Sequence, residues 1–193
     1  TGEYFGFVDS DDFIHPQMYE MLMQYMLKQN AEVTVCDFEV VEEGVTPEVN
    51  QYDTEQYYEV IDEKEKFSWY IVGTTSVTFT VAWNKLYKRE LFEGIKYPKG
   101  KVHEDEFTTY RLLYRALKTV YVKTPLYFYI QRGGSITADE PIEKRKLCFE
   151  ATYEKLIFYA ENEEEKLFFS TLMTLKPLLN DYIRRIRQNH GDL

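Results

Sequence analysis

Apolar and polar positions divide the chain into a short strand, a helix, a long strand and a polar stretch, followed by mixed helix and strand. Residues 3–8 are a short apolar run led in by Gly2. They predict a strand that delivers Asp9, Asp11 and Asp12 within four positions. Pro16 suits the first position of a helix. Over 16–29, Met18, Met21, Leu22, Tyr25 and Met26 recur at helical spacing and give one apolar face that reads as core. Asn30 ends that helix. Residues 31–41 carry apolar side chains on both faces (Val33, Val35, Cys36, Phe38, Val40, Val41), the pattern of an interior strand. Asp37 breaks that pattern and needs a partner.

From 42 to 66 the chain holds nine acids against two lysines, a solvated excursion with weak strand character at 57–61. Asp62 is placed to cap a short helix over 63–72. The Thr- and Val-rich stretch 74–82 reads as extended. Residues 82–94 read as an amphipathic turn of helix ended by Gly94, with Trp83, Leu86, Tyr87, Leu91 and Phe92 apolar. After a loop at 95–101, Phe107, Tyr110, Leu113, Tyr114 and Leu117 place Glu104-Asp105-Glu106 in the first turn of a helix. Two short strands, 119–122 and 126–130, are expected around Pro125, and they feed a glycine-bearing loop at 131–137. The remainder reads as helices over 141–160 and 163–188, the second kinked or broken at Pro177.

This order of elements is α/β. The length of 193 residues suits one domain, or one with a helical appendage. A net charge of −10 argues against nucleic acid as a main partner, because a phosphate backbone needs a basic footprint. The two cysteines, Cys36 and Cys148, form no metal-ligand spacing and read as buried, reduced thiols, consistent with a cytosolic protein. No apolar run approaches the length of a membrane span.

Two acidic centres carry the candidate chemistry. Carboxylates crowded at the end of a strand repel one another unless a cation bridges them. Asp9 and Asp11 alternate across a turn, so both can reach one hard ion such as Mg²⁺ or Mn²⁺. Turn formation and helix capping account for the same residues without an ion. At Glu104-Asp105-Glu106 the helix dipole favours acids for structure alone, and it also keeps a carboxylate ionised, as a proton acceptor requires. In the 131–137 loop, Arg132 and Ser135 offer donors suited to phosphate.

The segments GEYFGFVDSDDFIHPQMYEML, WNKLYKRELF, HEDEF and YFYIQRGGSIT occur in the order found in inverting family 2 glycosyltransferases of the GT-A fold, and the resemblance spans about 2–137. It implies that Asp9 and Asp11 hold Mn²⁺ or Mg²⁺ against the diphosphate of a nucleotide-sugar, with UDP the expected nucleotide. It implies Asp105 as the base that deprotonates a hydroxyl acceptor. Glu104, Trp83 and Lys85 would lie on the acceptor side, and Arg132 and Ser135 on the diphosphate. Asp12 is expected to support the loop or the donor sugar.

The expected architecture is a partial GT-A sheet with flanking helices, 1–137 forming the acceptor-side part and 138–193 a C-terminal helical extension. Family members begin with strand-helix-strand units that bind the nucleotide. At about 30 residues or more per unit, roughly a hundred residues are expected ahead of Thr1. The fragment alone is therefore expected to bind donor poorly and to be inactive, and its exposed sheet edge to favour a homodimer through strand pairing. The resemblance further implies a saccharide or lipid-linked acceptor in cell-surface polysaccharide or glycoconjugate synthesis. The expected location is cytoplasmic, with Arg184, Arg185 and Arg187 offering peripheral contact to the inner face of the plasma membrane. Two alternatives stay open. One is a Mg²⁺-dependent phosphotransferase with Asp9 as nucleophile, which lacks the expected downstream lysine-acid pair. The other is a non-catalytic interaction module.

Overall fold

The computed structural model describes residues 2–53, 55–71, 76–131 and 142–190. A six-stranded mixed sheet forms its centre. The strands are β1 (Tyr4–Gly6), β2 (Phe13–Ile14), β3 (Val33–Glu42), β4 (Tyr58–Ile61), β5 (Lys85–Lys88) and β6 (Thr119–Gln131). They run in the order β1-β5-β3-β6-β2, with β4 also on β6, and only the β3–β6 pair is parallel. The outer edge of β6 is shared: β4 takes Thr119 to Val122, and β2 takes Tyr127 and Phe128.

Each face of the sheet buries its own core. On one side, α1 (Met18–Gln29) lays Met18, Met21, Leu22, Tyr25 and Met26 against Cys36, Leu86, Val120, Val122 and Tyr127. These are the five positions expected from the helical spacing. Pro16 and Gln17 lie in the turn before α1, and Asn30 ends the helix in the left-handed conformation with φ 49°. Gly6 allows this approach, since a Cβ there would stand 2.5 Å from the Tyr19 ring. On the other side, Val33, Val35, Tyr87 and Tyr121 meet α4 (Glu104–Arg115), together with Tyr159 of α5 (Ile142–Glu161) and Leu167 of α6 (Glu165–His190). The final helices therefore share the core of the sheet.

Several expectations are corrected. The strands around Pro125 are one strand: Cys36 lies opposite Val122 and Asp37 opposite Pro125, so Lys123 and Thr124 bulge out. Proline has no N–H to lose at such a position. Residues 85–88 form β5, with Leu86 and Tyr87 on opposite faces, and a 3-10 turn follows over 89–92 before Gly94 at φ 74°. Within the stretch read as extended, Ser76–Thr80 is helical (α3, after α2 at Ser68–Ile71). There the buried Phe79 and a lysine bound to two backbone carbonyls override the strand preference of Thr and Val. Pro177 is accommodated inside α6, which continues past it. Asp37 finds its partner in the Tyr121 hydroxyl, and Cys148 is half-buried where full burial was expected.

Candidate functional site

The loop between β1 and β2 carries the first acidic centre. It is a closed turn, with the Asp12 N–H donating to the Asp9 carbonyl at 3.2 Å. Asp12 has both carboxylate oxygens engaged: the Tyr127 hydroxyl donates to one at 2.7 Å, and the Ile130 N–H to the other at 2.8 Å. The same Tyr127 hydroxyl accepts from the Asp9 N–H at 3.1 Å. Asp12 and Tyr127 thus fasten the loop to β6, and Asp9 and Asp11 remain on the exposed side. Behind the loop, the buried His15 accepts from the Gln17 N–H and bonds the Asn50 carbonyl, so its ring serves structure.

Although the Asp9 side chain reaches solvent, the protein on its inner side raises its pKa, and repulsion from Asp12, Asp11 and Glu104 adds to this. Glu104 begins α4, far along the chain. The fold therefore brings the two acidic centres within electrostatic reach of each other. Phe7, two residues before Asp9, packs edge-on against Tyr97 in the segment leading to α4, with ring centroids 5.5 Å apart.

Asp105 occupies the first turn of α4, after His103 at φ 58°. Burial pushes its pKa up to about 6, and Glu106 and Glu104 push the same way. A hydrogen bond from the Glu106 N–H and the nearby His103 oppose them. Lys155 of α5 pairs with Glu106 at 3.2 Å. Asp105 borders a narrow pocket of about 40 Å³ formed with Phe79, Tyr110, Tyr159 and Lys155, with room for water-sized groups.

Two residues expected on the acceptor side have other tasks. Lys85 is fully buried, and its ammonium donates to the Thr78 and Val81 carbonyls at 2.5 Å and to Asn84 Oδ1 at 2.6 Å. All three of its donors are spent inside the protein, so Lys85 is corrected from acceptor contact to a clamp joining α3 to β5. Burial lowers its pKa to about 7 against the opposing pull of the neighbouring Cys36 and Asp105. Asn84 completes the clamp by donating to the Cys36 and Thr78 carbonyls. Trp83 is 7% exposed. Its ring stacks on Tyr127 at 4.1 Å and on Tyr129 at 5.9 Å, with Phe38 edge-on. Expected on the acceptor side, it stands as a support behind Tyr127, with little of its surface left open. Glu104 is exposed at the head of α4. Arg132 and Ser135 lie outside the described residues.

Tyr127, Tyr129 and Asn84 were not singled out by the sequence, where a tyrosine in a strand or an asparagine beside one looks like any other. Only the segments that hold them stood out, WNKLYKRELF with Asn84 and YFYIQRGGSIT with both tyrosines. Among the described residues, no three His, Cys, Asp or Glu side chains form a ready cage for a metal. No helix among them is long and apolar enough to cross a membrane.

Comparison with known proteins bears on the family and the fold. The profile of the family described as Glycosyl transferase family 2 matches residues 1–96. The uncharacterized glycosyltransferase YibD of Escherichia coli is 29% identical over 161 residues, covering 81% of this chain and 46% of YibD. Glycosyltransferase GlyG of Streptococcus pneumoniae is 30% identical over 146 residues, covering 72% of this chain and 47% of GlyG. The chain thus spans about half the length of these relatives. Among solved structures, residues 1–349 of TarS from S. aureus superpose with a TM-score of 0.56 at 16% identity, covering 89% of this chain and 46% of that one. The complex of the same fragment with UDP-GlcNAc gives 0.52 at 18% identity, covering 79% and 43%. The fold is that of a partial GT-A-like domain. With its N-terminal half matched by the family profile and its relatives named as glycosyltransferases, the chain belongs to glycosyltransferase family 2.

Proposed function

We propose that this chain supplies the diphosphate-facing and acceptor-activating part of an inverting glycosyltransferase that uses a nucleotide-sugar. The observation that carries this reading is the packing of Phe7, just before the acid loop, on Tyr97, in the segment leading to α4, with Asp9 within electrostatic reach of Glu104 at the head of the helix that holds Asp105. One centre is suited to a cation and the other to a proton. TarS in complex with UDP-GlcNAc supports a UDP-linked donor. Residues 1–137 form the acceptor-side part in this reading, and the final helices build one wall of the pocket beside Asp105 through Lys155 and Tyr159 of α5 and Leu167 of α6.

The donor set fits a hard divalent ion. Asp9 and Asp11 are exposed oxygen ligands in a loop whose third acid is already committed to Tyr127 and Ile130. Their mutual repulsion is of the kind a cation relieves. Two carboxylates with the remaining positions left to waters and phosphate oxygens is the usual arrangement for Mg²⁺, and Mn²⁺ suits the same ligands. When bound, Mn²⁺ or Mg²⁺ would supply Lewis-acid stabilisation to the departing diphosphate. Asp12 and Tyr127 keep the loop in place. Arg132 and Ser135 are proposed to offset the charge of the leaving group. Asp105 accepts the proton of the acceptor hydroxyl as that oxygen attacks the anomeric carbon, and a single displacement inverts its configuration.

Calorimetric titration of UDP into the intact protein, with and without Mn²⁺, tests the donor half. Binding should require Mn²⁺ and fall at least about tenfold in Asp9→Asn and in Asp11→Asn. Equal UDP affinity in parent and both variants would remove the acid loop from the donor site.

A further inference from the structure

Helix α6 has a face that the transfer chemistry does not use. Its buried residues, Leu167, Thr171 and Leu175, form one inward stripe confined to its first half. On the other side Phe169, Leu172, Met173 and Ile183 are exposed, Met173 at 68%, and Leu179, one turn beyond Leu175, is exposed at the flank. Positions 169, 173, 176, 180, 183 and 187 recur at three- and four-residue steps. Phe169, Met173, Lys176, Ile183 and Arg187 therefore lie along one line of the helix, with Leu172 and Leu179 beside it. At 1.5 Å per residue that line is roughly 27 Å long.

Charge identifies the occupant of this face. Among the described residues, the exposed positions of α6 from 166 to 188 carry Lys166, Lys176, Arg184 and Arg187 and no acid. Asp181, at the margin, is bound by Arg184 and Arg185. Over α6 five Lys and Arg stand against two Asp and Glu, whereas the whole chain carries 23 against 33. A symmetric second copy would set this cationic face against itself. An anionic lipid surface accepts both components, the apolar side chains at the acyl boundary and the cations among the headgroups.

We propose that the outer face of α6 lies in the headgroup layer of an anionic membrane, holding the protein at the surface without crossing it. Sedimentation of the intact protein with vesicles tests this, using phosphatidylcholine alone and phosphatidylcholine mixed with phosphatidylglycerol. The protein should pellet with the anionic vesicles, and remain in solution with the neutral ones or at high salt. Lys176→Gln and Arg187→Gln should each weaken binding about fivefold, and Met173→Glu combined with Ile183→Glu at least about tenfold. All four side chains are exposed, so thermal melts should match the parent. The two single variants keep the test decisive if the double variant misfolds. Absence of binding to anionic vesicles overturns the proposal, as does binding that ignores these substitutions. Loss of a dimer in the Glu variant, without any vesicle binding by the parent, would assign the face to a second copy.

Discussion

Asp9 stands at the surface among three other carboxylates, while Asp105, at the head of a neighbouring helix, is largely removed from water. Both carboxyls are harder to ionise than usual. At Asp9 crowding by like charge adds to partial burial, and a divalent ion would reverse that crowding. At Asp105 burial dominates, and no cation is needed to make it useful: a carboxyl with a pKa of about 6 is a better proton acceptor than an ordinary one and still ionised at neutral pH. The same side chain is thus prepared for two tasks by its surroundings.

The difference is open to experiment. Asp105→Asn has the largest expected effect, a loss of about 10²- to 10⁴-fold in turnover with Mn²⁺-dependent UDP binding kept. The parent kcat/KM should rise with pH through about 6, as the Asp105 base form fills, and the residual rate of the variant should lose that rise. Turnover near the parent's, measured by sugar transfer in the intact enzyme, would remove Asp105 from the base role. Tyr127→Phe is expected to act on the other centre. It deletes one hydrogen bond to a carboxylate and one from the Asp9 N–H. A cost of about 1.5–3 kcal/mol in unfolding free energy follows, with UDP affinity weakened about tenfold and the pH midpoint unmoved. A displaced midpoint would show that the two centres are coupled through the loop.

The smallest effect concerns stability. The Asp105 pKa is raised from 3.8 to about 6, so the fold favours the neutral acid. That contribution is complete below pH 3.8 and is lost as pH rises through about 6. At neutral pH the folded protein holds an ionised carboxylate in a poor solvent, a penalty that Asp105→Asn removes. The variant should therefore be more stable than the parent by about 1 kcal/mol, allowing for partial solvent screening. Urea unfolding at neutral pH showing the variant equal or weaker would mean that Asp105 is not strained in the fold.

Long periodic segments were the legible ones. The apolar faces of α1 and α4 and the two-sided pattern of β3 are set by local spacing, and each element lies where the pattern places it, save that α4 ends at Arg115 and leaves Leu117 exposed beyond it. Errors fell where a distant contact decides the conformation. Ser76–Thr80 is helical because Phe79 is buried and Lys85 binds the nearby carbonyls. Pro125 does not break β6 because the parallel partner β3 tolerates a bulge there. The acids themselves were visible in the sequence, since crowded carboxylates are rare and costly. Their supports were not. Tyr127 matters through its hydroxyl, which reaches residues 115 and 118 positions away. Lys85, expected on the acceptor side, is held inside by three acceptors that its sequence neighbours do not announce.

The parallel pairing of β3 with β6 also has a kinetic consequence. Val33 lies opposite Thr119, so this ladder closes a loop of 86 residues. Contacts so far apart in sequence carry a large closure entropy and tend to form late. The Asp9–Asp12 turn hangs from the second half of β6 through Tyr127 and Ile130. During refolding the acid loop should therefore acquire its final shape only after β3 and β6 have met. α1, whose contacts along the helix are local, can form well before.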